Sequence, residues 1–164
     1  MAQIQLQKRT PEPCIRIRHV GPYTEVGPSF QAVGSFVFGR GLAGPEARVG
    51  GMAHDHPDET PAEELRYDAF VTLAPETLAN LDLPIEHEGF SIEAGELPGG
   101  EYATLLHKGP YEGLAGAYAE LFERWLPSSG RQPGEGPCLE FYLSDPQTTA
   151  PADLETLLCL PLAE

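Results

Sequence analysis

Apolar and polar positions alternate along this chain in short runs, and the runs come in two sets. Residues 4–8 begin the first set, and 14–19 continue it with Ile15, Ile17 and His19 set against Cys14, Arg16 and Arg18. A period of two is that of a strand with one face covered. Phe30, Val33 and Val37 then recur at helical spacing. This predicts a helix capped by Thr24 or Ser29 and stopped near Arg40-Gly41. Strands are expected at 48–54 and 65–73, the latter with Leu65, Tyr67, Ala69, Val71 and Leu73 on one face. The second set repeats the order. Residues 90–96 and 101–107 read as a hairpin across Leu97-Pro98-Gly99-Gly100. A helix over 112–126 stacks Leu114, Tyr118, Leu121 or Phe122, and Trp125, and Ser128-Ser129-Gly130 ends it. Strands at 138–143 and 154–162 close the chain, and 74–88 joins the sets.

The recurrence extends to the residues themselves. His19-Val20-Gly21-Pro22-Tyr23 returns 88 positions later as His107-Lys108-Gly109-Pro110-Tyr111. Downstream, Asp55-His56-Pro57 matches Ser144-Asp145-Pro146, and Pro61-Ala62-Glu63 matches Pro151-Ala152-Asp153. Two repeats are too few for a solenoid. The expected architecture is α+β: one domain over 1–164 made by tandem duplication of a strand-helix-strand-strand module, with repeat units at about 1–83 and 84–164. Its antiparallel sheet would carry two helices on one face, with a central cleft between the pseudo-twofold halves.

Charge narrows the choice of partners. The net charge of −15 is uneven, −4 over residues 1–83 and −11 over 84–164. Such a field repels nucleic acid and anionic lipid, so direct DNA binding is not expected, whereas cationic ligands or a basic protein partner are favoured. No apolar run approaches the ~20 residues of a membrane span, and the N-terminus lacks a signal pattern. Cys14, Cys138 and Cys159 are few and scattered, which suits free thiols in a reducing cytoplasm.

Glu140 is the leading candidate for chemistry. In Cys138-Leu139-Glu140-Phe141-Tyr142-Leu143, alternation assigns Leu139, Phe141 and Leu143 to the helix-packed face. Glu140 would then share the other face with Tyr142. A carboxylate beside a phenol can hold a cation by charge and by ring-face attraction, worth about 0.5–2 kcal/mol per ring; if desolvated, it is also a candidate general acid or base. The position matching Glu140 in the first repeat is Gly51, within Val49-Gly50-Gly51-Met52, and glycine inside a strand marks close approach by something else. His54-Asp55-His56 has too few ligands for a metal and is followed by Pro57, so neither metal nor cofactor is expected. The paired His-x-Gly-Pro-Tyr segments read as strand-to-helix corners.

Taken together, segments 16–27, 47–50, 54–68, 99–111 and 125–146 resemble the GyrI-like small-molecule-binding family. Its most specific marks are His-Lys-Gly-Pro-Tyr (107–111), Trp-Leu-Pro-Ser-Ser-Gly (125–130) and Pro-Cys-Leu-Glu-Phe-Tyr-Leu-Ser-Asp-Pro (137–146). Members serve as effector-binding domains of AraC-type and MerR-type regulators, or stand alone as gyrase-inhibitory proteins. The resemblance implies tandem strand-helix-strand-strand modules around a cleft that takes bulky, often cationic aromatic compounds, with a Glu where Glu140 stands. Tyr142, Tyr111, Trp125 and Phe38 would supply the aromatic wall. It also implies two rivals: hydrolysis of strained cyclopropane-type toxins by the same Glu, and docking on a basic partner such as a topoisomerase. One departure is the first helix, 29–39, which is rich in Gly, Ser and Phe where relatives often carry Trp and Ala. Pocket shape is expected to differ accordingly.

Overall fold

The computed structural model describes residues 4–45, 47–56, 59–145 and 148–163. Pro57 and Pro146, which belong to the matched loops above, lie outside them. Strands form close to where alternation puts them. β1 (Ile4–Arg9) and β2 (Glu12–Val20) precede α1 (Gly27–Gly39), followed by β3 (Val49–Ala53) and β4 (Arg66–Thr72). The joining segment holds α2 (Pro75–Ala79) and β5 (Ile85–His87), elements too short for a periodicity to reveal. β6 (Phe90–Leu97) and β7 (Gly100–Lys108) come next. The second helical run is α3 (Leu114–Ala119), a π-helical stretch (Glu120–Trp125) and α4 (Leu126–Ser129), stopped by left-handed Gly130. β8 (Cys138–Tyr142) and β9 (Glu155–Pro161) complete the order. Among the described residues, no helix is long and apolar enough to cross a membrane.

Strand pairing departs from the sequence reading at one point. The expected hairpin of β6 with β7 does not form: β6 pairs with β2 and β5, and β7 pairs with β1 and β9, all antiparallel. Each repeat's first strand therefore joins the other repeat's set. The compact units are accordingly Pro11–Pro98 and, with the first strand exchanged, Met1–Thr10 plus Gly99–Glu164. Local turn chemistry cannot distinguish these pairings, because the loop at Thr10-Pro11 and the loop at Pro98-Gly99 join equivalent strands.

In the Pro11–Pro98 unit the strand order is β3-β4-β2-β6-β5. Ala32, Val33, Phe36 and Val37 of α1 pack on Ile15 and Ile17 of β2, Ala69 and Val71 of β4, and Ile92 of β6. In the other unit the order is β1-β7-β9-β8. There Leu121 and its helical neighbours pack on Ala103 and Leu105 of β7 and on Leu158 and Leu160 of β9.

The repeated corners are alike in both units. His19 donates from Nε2 to the Pro22 carbonyl at 3.0 Å, and His107 does the same to Pro110 at 3.0 Å. Gly21 and Gly109 have φ of 138° and 137°, which side-chain-bearing residues rarely adopt. Their N–H groups donate to Leu65 and Leu154 carbonyls, both at 2.8 Å. These histidines therefore brace the strand-to-helix turn.

Candidate functional site

β8 presents its two faces differently from the sequence expectation. Cys138 packs in the same cluster as Tyr118, Leu121 and Trp125 of the helical run, and so does Leu158, the register partner of Glu140. Glu140 therefore faces the helix. Leu139 and Phe141 are buried on the opposite face with Tyr102 and Cys159, while Leu143 is 53% exposed. The assignment fails because both faces of the strand are covered, and alternation shows that faces differ without showing which one the helix occupies.

Glu140 is 6% exposed and accepts two phenolic hydrogen bonds. Tyr142 donates to Oε1 at 2.7 Å, and Tyr118, on α3 over the same face, donates to Oε2. Burial first and the Glu140 charge second push the Tyr118 phenol well above its ordinary pKa, so it remains an O–H donor. The adjoining Cys138 thiol is raised to about 12, chiefly by burial. Tyr111 stacks edge-on against Tyr142 with ring centroids 5.5 Å apart. Tyr118 lies 6.4 Å from Phe122, and Trp125 packs against the same cluster. Tyr118 and Tyr142 thus orient the Glu140 carboxylate, and Tyr111, Phe122 and Trp125 pack against those two rings or their cluster.

Of the residues singled out from sequence, Glu140, Tyr142, Tyr111 and Trp125 fall in this one unit. Phe38 and Gly51 belong to the other. Phe38 stands 62% exposed on α1, and Gly51 offers no open wall, because a Cβ there would lie 1.8 Å from the Tyr67 hydroxyl oxygen. The two units differ at this register by a reciprocal exchange. Gly51 on β3 pairs with Ala69, two residues beyond Tyr67, while Glu140 on β8 pairs with Leu158, two residues beyond Thr156. A large residue on one strand thus accompanies none on its neighbour, and a small one accompanies a carboxylate.

Tyr118 was missed as a site residue, since the helical pattern accounts for it as core. The available signal was its hydroxyl: a buried Tyr normally needs a partner for that group. A second polar cluster also escaped notice. Asp68 of β4, almost wholly buried, accepts from Arg18, from His54 at 2.7 Å, and lies 3.5 Å from Arg16. Burial alone would raise the Asp68 pKa, but the hydrogen bonds from His54 and Arg18 more than reverse this and hold it below its ordinary value. Asp55 is meanwhile gripped by Arg66 at 2.9 and 3.0 Å. The His54-Asp55 pair is thereby spent on separate structural partners.

The model of the GyrI-like small molecule binding domain matches residues 2–163. The chain belongs to this family. It is similar to a protein of Edwardsiella ictaluri named DNA gyrase inhibitor, with 31% identity over 144 residues, 87% of this chain and 88% of that one. In fold it is similar to the EcmrR C-terminal domain, at a TM-score of 0.73 and 19% identity, covering 100% of this chain and 99% of that one. A further solved relative in fold is SAV2435 bound to tetraphenylphosphonium, at a TM-score of 0.66 and 13% identity, covering 98% and 94%.

Proposed function

We propose that this GyrI-like domain captures cationic and amphipathic aromatic compounds, with Glu140 as counter-charge. Tyr142, Tyr118, Tyr111 and Trp125 form the aromatic surroundings. The observation that carries this reading is the buried Glu140 carboxylate accepting from the Tyr118 and Tyr142 hydroxyls. Two oriented donors fix the carboxylate in a low-polarity setting, where attraction to a desolvated cation is stronger than in water. Aromatic faces add about 0.5–2 kcal/mol each to a cation above them. An entering ligand would take the place of the Tyr142 hydroxyl on Oε1, the phenol that carries the exposed Tyr111 ring. Both Glu140 oxygens already accept phenol donors, which favours binding over a general-base role that would need one of them on a water. The tetraphenylphosphonium complex of SAV2435 supplies a probe of the right class.

The test is thermal shift with tetraphenylphosphonium and a panel of cationic dyes, on wild type and Glu140→Gln. A ligand at 100 times its Kd stabilises by about 2.7 kcal/mol, or roughly 5–10 °C at this chain length. The expected result is a shift in the wild type that disappears in Glu140→Gln. Shifts of equal size in both proteins contradict the role of Glu140.

A second reading follows from the relative named DNA gyrase inhibitor and from the −15 net charge: docking of the acidic surface on a basic protein such as a topoisomerase. That association should weaken steeply with salt and survive Glu140→Gln.

A further inference from the structure

Thr156 is fully buried on β9, yet its Oγ1 has no hydrogen-bond partner among the described residues. Buried hydroxyls are normally paired, so an unpaired one inside a folded unit marks a place where something else completes the set. Its position is specific. Thr156 lies directly across from Tyr142 in the β8–β9 ladder, two pairs along from Glu140 and Leu158 and therefore on the same face. It shares the helix-facing side with Leu158. Diagonal neighbours of this kind are about 7–8 Å apart at the backbone, which places a hydroxyl and a carboxylate on one face of the sheet within the span of one small cationic group.

The other unit shows what this register holds when it is closed. There the matching residue is Tyr67, whose ring fills the space over Gly51. Threonine in place of that tyrosine is a smaller side chain and puts a hydroxyl on the face of the sheet that Glu140 occupies. We infer that Thr156 is a second polar anchor of the Glu140 site and selects aromatic cations that carry N–H donors over quaternary ones. The inference rests on the reading of Glu140 as a counter-charge. Its chemistry is simple. The carboxylate offers only acceptors, and the threonine hydroxyl has free lone pairs as well as a proton. Two converging acceptors are satisfied together by a primary ammonium or an amidinium. A quaternary onium has charge but no N–H, and leaves Thr156 unpaired.

Fluorescence titration with anthracen-9-ylmethylamine and its N,N,N-trimethyl derivative tests this on wild type, Thr156→Val, Thr156→Ser and Glu140→Gln. The wild type should favour the primary ammonium by about tenfold, the size of one good hydrogen bond. Thr156→Val should lose that preference, binding the trimethyl probe as wild type does, and Thr156→Ser should keep it. Unliganded Thr156→Val should melt no lower than wild type, because a methyl replaces an unpaired hydroxyl. Thr156→Val weakening both probes equally, or neither, overturns the inference while leaving Glu140 in place, provided Glu140→Gln weakens both. If Glu140→Gln changes neither probe, the counter-charge reading has failed and the inference falls with it.

Discussion

Gly51→Ala probes the packing that distinguishes the two units. The added Cβ would lie 1.8 Å from the Tyr67 hydroxyl oxygen, 2.2 Å from Cζ and 2.6 Å from Cε1. No rotation of a methyl relieves such distances, so the tyrosine ring must leave or β3 must part from β4. The ring is poorly placed to leave. It is 3% exposed and held by Tyr23 and Phe30 at centroid distances of 5.3 and 5.9 Å. Overpacking a core costs about 1–3 kcal/mol, and displacing a clamped aromatic puts this case at the upper end, about 3 kcal/mol. At this chain length that is a fall in Tm of about 6–12 °C. Urea unfolding of the single variant, of Tyr67→Thr and of the double variant gives the coupling. In the Tyr67→Thr background, which copies the residue found at Thr156, Gly51→Ala should cost under about 1 kcal/mol, a coupling of at least about 2 kcal/mol. Equal cost in both backgrounds would refute the argument that Tyr67 closes the site over Gly51.

Other outcomes follow from the polar groups. Asp68, held below its ordinary pKa, binds fewer protons folded than unfolded, so its contribution is present above about pH 4 and lost as pH falls through the folded value. Asp68→Asn should cost about 1–3 kcal/mol at neutral pH, since it takes the shared carboxylate from the partly buried Arg18, Arg16 and His54, and should flatten the acid limb of a stability–pH curve measured by urea unfolding. The buried Cys14 thiol, raised to about 12 mainly by burial, should resist iodoacetamide at pH 8 until urea unfolds the chain; rapid native labelling of Cys14, read by mass spectrometry, would contradict its burial. Tyr118→Phe removes one donor from Glu140 and should destabilise by about 1–3 kcal/mol, with no loss if that bond is unimportant.

Much of the fold was legible because each strand carries its own period. Ile15 and Ile17, or Ala69 and Val71, declare a covered face locally, and the repeated His-x-Gly-Pro-Tyr segments declare the corners. Pairing was not legible, since β1 and β6 occupy equivalent places and nothing local says which neighbour each joins. The site was half legible. Alternation correctly set Glu140 beside Tyr142, but Leu139 and Phe141 are as deeply buried as any helix-facing residue, so the side was misassigned. Tyr118 was hidden by its own apolar ring within a helical stripe. Thr156 and Tyr67 carry meaning only once the register of β9 against β8, and of β4 against β3, is known.

The central claim is that Glu140 makes the site select positive charge. Its most direct test is the affinity of anthracen-9-ylmethylamine against the neutral anthracen-9-ylmethanol, measured by fluorescence titration on wild type and Glu140→Gln. The account predicts at least about tenfold preference for the amine in wild type, and none in the variant, because a buried charge pair loses about 2 kcal/mol or more when one partner is neutralised. Equal affinity for the two compounds in wild type, or a preference that persists in Glu140→Gln, would contradict it.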